Sequence, residues 1–420
     1  MTPVSARRIA AAGALVIVVA AALTGAVGAG PASGPPPTPV NGSRSPFPQV
    51  LHTPADPVPR PAIDAAAALL LDTDGDAVLY QRSPSLRRPI ASLTKVMTAL
   101  VVFDRTRPSD VARVDPRAVF ARGDYGATST LGLRPGERMR VADLLAGLLL
   151  GSANDAAEAL AIHVAGSETR FVALMNRRAA GLGMSDTRFA SSSGLDDRGR
   201  STATDLATLA VAAHGVPAFA QLVATRVRRI EAPSGPDRRI QNRNALLWLY
   251  PDAVGTKTGF TAAARYCLVA VAKRDGRTLV AVILGSPHEA FSDAAALLEH
   301  GFEGFTRHTF VEAGDDLGVA ALEGGDVPVV AGGTLEALVP TAALDDVSGR
   351  LRLVPGVAFP PAPGDRVGIY AMSVPGLRIG AVPAVVQHVP PPAGERGPWW
   401  VRVGLEVGRA VAGAVGGLAD

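Results

Sequence analysis

The order of its element signals constrains this chain more than any other feature. Strand-like sequence at AAAALLLD (65–72) and AVLYQRS (77–83), joined by the turn Thr73-Asp74-Gly75-Asp76, precedes a long helical block. Two further strand signals, YCLVAVA (266–272) and TLVAVIL (278–284), come only after that block, around the turn Lys273-Arg274-Asp275-Gly276. An isolated hairpin is marginal in water. The two hairpins are therefore expected to share one antiparallel sheet, built from both ends of the segment with the helices inserted between them, an α+β arrangement. Helices are expected over 92–103, in two stretches within 141–164 broken around Gly151-Ser152, over 171–182 and 204–213, and finally over 293–300. Beyond about Thr309 the helical signals stop. Short apolar runs at 327–330, 351–354, 366–372 and 384–389, separated by Gly, Pro and Asp, read as a small all-β domain.

Both ends have a different texture. Arg7 and Arg8 precede an uncharged apolar stretch over 9–29 that ends in small residues, the pattern of an export signal. Cleavage is expected after Ala29; a retained signal anchor is the alternative. Either way the remainder is expected to work outside the cytoplasm, at the outer face of the cell membrane or in the wall. Residues 31–61 contain 11 prolines and read as an extended tether. The last stretch opens on Trp399-Trp400 and, as a helix, would place Trp400, Val403, Val407, Val411, Ala414 and Leu418 on one face, opposite Arg402, Glu406 and Arg409. A membrane surface is one expected partner for that face; a frayed tail or packing on the protein is the other reading. The expected organisation is a signal segment (1–29), a Pro-rich linker (30–62), an α+β domain (63–308), a β-rich domain (309–392) and an amphipathic tail (393–420).

Composition excludes several functions. A net charge of +3 with 5% aromatic residues offers no nucleic-acid surface. The single cysteine, Cys267, excludes an internal disulfide or a thiolate cluster, and the seven histidines show no metal-binding spacing, so neither metal nor other cofactor is expected. Of the 41 basic residues only Lys95, Lys257 and Lys273 are lysines. Where arginine supplies nearly all positive charge, a surviving lysine is a candidate for work that needs an amine able to lose its proton.

Three short motifs carry chemistry. Ser92-Leu93-Thr94-Lys95 is Ser-x-x-Lys at a helix start, and its spacing places hydroxyl and amine on one helix face. Ser152-Ala153-Asn154 falls in a helix break, where a serine is by itself an ordinary cap. Lys257-Thr258-Gly259 precedes strand-like sequence. It is either a turn or part of an edge strand that presents backbone groups to an extended peptide, with glycine permitting close approach. In this order the three form the set by which penicillin-recognising serine enzymes build one site from three places in the chain.

Neighbouring blocks narrow the resemblance. IASLTKVMTAL (90–100), LLLGSANDAAEALA (148–161), FVALMNRRAAGLGMSDTRF (171–189), SSGLDDRGRSTATDLATLA (192–210), NRNALLW (242–248) and VGTKTGFT (254–261) resemble the serine-type D-alanyl-D-alanine carboxypeptidases among the low-molecular-weight penicillin-binding proteins. The resemblance covers about 65–305; the β-rich segment, including PGDRVGIYAMSVPG (363–376), resembles their second domain more faintly. It implies a β-lactamase/transpeptidase-like fold and, as partners, peptidoglycan stem peptides ending in D-Ala-D-Ala, with β-lactams as covalent inhibitors. It implies Ser92 as nucleophile, Lys95 as its base, Ser152 as proton relay and Asn154 as a ligand of the substrate backbone. Lys257 and Thr258 would hold the terminal carboxylate side with Arg243 nearby, Gly259 completes their motif, and the N–H groups of Ser92 and Phe260 would form the oxyanion hole. Two departures stand out. Ala290 falls where some relatives carry a further arginine, and Arg265 occupies a position where many have glycine; Arg265 is either a substitute cation or a surface residue. Cys267 reads as a small core residue.

Two other functions fit parts of the pattern. A β-lactamase of similar fold uses the same motifs, but its class A form needs a Glu-x-x-Leu-Asn loop that is missing between Asn154 and Lys257. A wall-binding or regulatory protein with a dead site would not need Ser92, Lys95, Ser152 and Lys257 intact.

Overall fold

The computed structural model describes residues 58–120, 129–231, 236–374 and 377–387. The expected signal segment, nearly all of the Pro-rich linker and the Trp-led tail lie outside the described residues. These divide into two compact units at Thr306/Arg307.

In the first unit, β1 (Ala67–Asp72) and β2 (Ala77–Arg82) form the expected opening hairpin. A 3-10 turn, Ala91–Leu93, leads into α1 (Thr94–Phe103). The hairpin β3 (Val111–Arg113) with β4 (Arg138–Arg140) precedes α2 (Val141–Leu149), α3 (Asn154–Ala165), α4 (Glu168–Gly181), α5 (Ala203–His214) and α6 (Pro217–Ala224). A second small hairpin, β5 (Val227–Ile230) with β6 (Arg238–Gln241), and the one-turn α7 (Leu246–Leu249) complete the insertion. The chain then returns as β7 (Ala253–Thr261), β8 (Arg265–Arg274) and β9 (Arg277–Ser286), and closes on α8 (Phe291–Gly304).

The sheet order is β2-β1-β9-β8-β7. Antiparallel pairing of β1 with β9, with Leu69 opposite Val282, joins the two ends of the segment as the element order predicts. Every residue from Leu279 to Leu284 is buried. A strand buried on both faces reads as a continuous apolar run, and α5 and α8 both pack on this sheet. At its far end Asp72 is fully buried. One oxygen accepts from the Asp74 and Gly75 amides (3.0 and 2.8 Å), and the other pairs with Arg277 at 2.9 Å.

The inserted block is not purely helical. The two small hairpins consist of the segments VAR, RMR, VRRI and RRIQ, too short and too arginine-rich to show a period-2 pattern. They are tied together by Arg238, which reaches the Leu131 carbonyl (2.8 Å) and Glu137 (2.7 Å).

The second unit is a β structure: β10 (Phe305–Val311), β11 (Asp316–Leu322), β12 (Gly325–Ala331), β13 (Leu335–Pro340), β14 (Ser348–Leu353), β15 (Arg366–Val374) and β16 (Leu377–Val386). Five of these form a sheet in the order β11-β12-β16-β15-β14, and β10 pairs with β13. Its core is small and aliphatic, with Val327, Val329, Val367, Ala384 and Val386 in one cluster.

Candidate active site

Three separate chain segments meet at one cleft of about 930 Å³, lined by Ser92, Ser152, Asn154, Arg243, Thr258, Gly259 and Phe260 among others. The Ser-x-x-Lys segment turns sharply to present its serine. Ala91 has φ +47°, and Ser92 sits in the 3-10 turn, one turn before the regular helix rather than inside it. Lys95, in the first turn of α1, is wholly buried. Its Nζ lies 2.9 Å from Ser92 Oγ, 2.7 Å from Asn154 Oδ1 and 2.6 Å from the Ser193 carbonyl oxygen.

This geometry suits the amine in its neutral form, the form that can act as a base. A neutral amine has two N–H donors and one lone pair. Two of its three neighbours are carbonyl oxygens that can only accept, so they take the two protons and leave the lone pair for the Ser92 hydroxyl. Burial holds the Lys95 pKa well below its ordinary value, helped by the charges of Lys257 and Arg243 and opposed by Asp155.

The Ser-x-Asn segment links α2 to α3. Ser152 takes φ +59°, and the break is held by Ala153 N donating to Gly147 O (2.9 Å) and Asn154 N to Ser129 O (2.8 Å). Asp155, next in sequence, accepts from the amides of Leu131 (2.9 Å), Leu133 (3.1 Å) and Ala156 (2.8 Å), so it anchors the chain approaching the cleft.

Lys257-Thr258-Gly259 lies within β7, the edge strand of the sheet, which resolves the earlier choice between turn and strand. A Cβ at Gly259 would stand 3.0 Å from Ser92 N and 3.1 Å from Ile90 O, so the missing side chain lets β7 press against the serine turn. Lys257 is buried, and burial together with Arg243 lowers its pKa to about 7. Its Nζ donates to Thr258 O at 2.8 Å. Phe260 is 56% exposed at the rim and packs 4.6 Å from the Tyr266 ring.

Arg243 enters the cleft between two asparagines that fix its backbone. Asn242 donates to Val223 O and Thr225 O (both 3.0 Å) and accepts from the Asn244 amide, while Arg243 N donates to Leu150 O at 3.1 Å. Ala290 lines the cleft without a charge. Arg265 does not take its place: it opens β8 at φ +62°, exposed, and is not among the cleft's lining residues. The surface reading holds for it. Cys267 is buried, and burial pushes its thiol up to about 11.

Some contributors escaped the sequence reading. The Ser193 carbonyl is a main-chain group, invisible to any side-chain motif, although the run Ser191-Ser192-Ser193-Gly194 signals an ordered loop. Trp248 and Leu249, exposed at 43% and 71%, line the cleft from α7; sequence placed Trp248 in the NRNALLW block without giving it a role, and Leu249 lay just beyond that block.

The fold and this constellation define a serine acyl-transfer enzyme. The chain belongs to the D-alanyl-D-alanine carboxypeptidase family, whose sequence profile matches residues 53–288. It is 34% identical to the D-alanyl-D-alanine carboxypeptidase DacC of Escherichia coli, over 79% of this chain and 85% of that protein. It is 38% identical to DacB2 of Mycobacterium tuberculosis, over 59% of this chain and 86% of that protein. Among solved structures, penicillin binding protein 5 of Haemophilus influenzae superposes with a TM-score of 0.60 at 28% identity, covering 79% of this chain and 99% of that one.

Proposed function

We propose that this protein is a serine-type carboxypeptidase that removes the terminal D-alanine from peptidoglycan stem peptides ending in D-Ala-D-Ala, and that β-lactams acylate the same serine. The observation that carries the reading is the buried Lys95 amine, 2.9 Å from Ser92 Oγ with its protons directed to two carbonyl oxygens.

In this mechanism Lys95 takes the Ser92 proton as Oγ attacks the carbonyl of the penultimate D-alanine. The resulting oxyanion is held by the N–H groups of Ser92 and Phe260, the loss of one such donor costing about 2.7–4 kcal/mol. Ser152 passes a proton to the departing amine, and the peptide bond breaks to release D-alanine. Water, activated by Lys95, then attacks the acyl ester and regenerates Ser92. Asn154 orients the substrate backbone, while Lys257, Thr258 and Arg243 hold its carboxylate side. We propose in addition that the chain is exported and acts at the outer face of the membrane or in the wall, on the strength of the segment over 9–29.

Incubation with a Lys-D-Ala-D-Ala peptide and with a labelled penicillin tests the assignment. Release of D-alanine together with a long-lived penicillin adduct is expected. Rapid penicillin turnover without peptide cleavage would make the protein a β-lactamase, and absence of both reactions would make it a binding protein.

A further inference from the structure

The third partner of the Lys95 amine, the Ser193 carbonyl, is a main-chain oxygen on the loop between α4 and α5, and its placement has an identifiable origin. Glu168, the first residue of α4, reaches across to this loop. Its Oε1 accepts from both the Ser192 amide (2.9 Å) and the Ser192 hydroxyl (2.7 Å). The Ser192 carbonyl in turn accepts from Thr98 Oγ1 at 2.6 Å, on the helix that carries Lys95. Ser192 is thus fixed at its amide, its hydroxyl and its carbonyl, and the next carbonyl along is the Lys95 acceptor. The loop then turns away at Gly194 (φ +85°), where any Cβ would overlap the Ala91 carbonyl oxygen beside the nucleophile. Nothing else among the described hydrogen bonds ties the Ser192 amide or hydroxyl.

We infer that Glu168 is a positioning residue for the acylation step: by clamping Ser192 it aims the Ser193 carbonyl at Lys95 Nζ and thereby directs the amine's lone pair toward Ser92. The inference rests on the reading of Lys95 as the base. The clamp depends on an acceptor oxygen with the right reach. Two charge-assisted bonds to one carboxylate are stronger than neutral ones, and a carboxylate at the first position of a helix is stabilised there by the helix dipole. Glu158 on α3 lies near Glu168: its carboxyl is raised to about 7, chiefly by burial and then by the Glu168 charge, with Arg117 opposing the shift.

The test compares Glu168→Ala and Glu168→Gln in the full chain, reading penicillin acylation rates and the kcat and KM for a D-Ala-D-Ala peptide. Loss of the clamp is expected to lower the acylation rate and kcat about tenfold or more, with KM changed less than about twofold, because a misaimed base weakens the transition state and leaves the substrate contacts intact. Glu168→Gln keeps an oxygen that can accept both Ser192 bonds and is expected to recover most of the rate. If Glu168→Ala does not fold, Ser192→Ala removes the hydroxyl bond alone and is expected to show a smaller loss of kcat at unchanged KM. Wild-type acylation in Glu168→Ala, or in Ser192→Ala where that variant stands in, overturns the inference, as does a Gln variant as impaired as the Ala variant. Lys95→Ala separates the two levels of argument. If it still acylates, the base assignment fails; if it is dead while the clamp variants are normal, only the Glu168 inference fails.

Discussion

At the residue scale the site depends on what an amine does that a guanidinium cannot. Lys95→Arg keeps a positive charge but removes the group able to lose a proton near neutral pH, so acylation by a labelled penicillin is expected to disappear at a temperature where circular dichroism shows the variant folded, even though a larger, always-charged group in this buried site lowers the unfolding midpoint. Retained labelling would exclude Lys95 as the base. The second buried lysine gives a pH prediction. With Lys257 held at about 7 by burial and Arg243, its charge is present below that pH and lost above it. KM for a peptide carboxylate is therefore expected to rise as pH passes upward through about 7. Arg243→Ala removes one of the two causes of the lowering, so the onset should shift to higher pH even as overall binding weakens. Lys273 occupies the β8–β9 hairpin, outside the cleft lining, and its charge acts on His214 rather than on the site.

At the scale of elements the site is an edge strand pressed against a 3-10 turn, and Gly259 makes the approach possible. Gly259→Ala must push apart Ser92 N and β7. Its acylation rate is expected to fall by more than tenfold for a stability cost of about 1–2 kcal/mol, the size of a modest overpacking penalty. The same strand is braced from behind by His214, whose Nε2 lies 2.7 Å from Thr256 Oγ1. Burial, aided by Lys273, lowers the His214 pKa to about 4. A histidine lowered in the fold is stabilising while neutral. Its contribution is complete above its ordinary value of about 6.5 and is lost as pH falls toward 4, about 2 kcal/mol after allowance for its partial solvent access. His214→Gln should flatten the fall of the unfolding midpoint between pH 6.5 and 4, and an unchanged acid profile would remove His214 from the account.

At the scale of the whole molecule, much was legible in sequence because the informative signals were long or chemically rare. Four of the five sheet strands declared themselves through apolar runs, and the order of those runs required β1 to find β9, whereas β7 has no such run and was left open between turn and edge strand. The three motifs converge on one cleft, with Ser92, Ser152, Asn154, Thr258 and Gly259 in its lining, Lys95 buried behind Ser92 and Lys257 buried beside Thr258. What stayed hidden was short or carried by the main chain. The three- and four-residue hairpin strands have no resolvable period, the Ser193 carbonyl belongs to no side-chain motif, and whether Arg265 faced the cleft depended on the β7–β8 turn. The closure between β1 and β9 also localises a vulnerability. Asp72→Ala removes the partner of Arg277 and the acceptor of the β1–β2 turn in one step, leaving a nearly buried cation unpaired. A loss of about 3–5 kcal/mol is expected in denaturant unfolding.

The most direct test of the central claim is mass spectrometry of the intact protein and its peptides after brief exposure to a penicillin, for the wild type and for Ser92→Ala. The account predicts a single adduct of one penicillin mass on the peptide containing Ser92, absent from the variant. An adduct on another residue, or labelling that survives in Ser92→Ala, would contradict it.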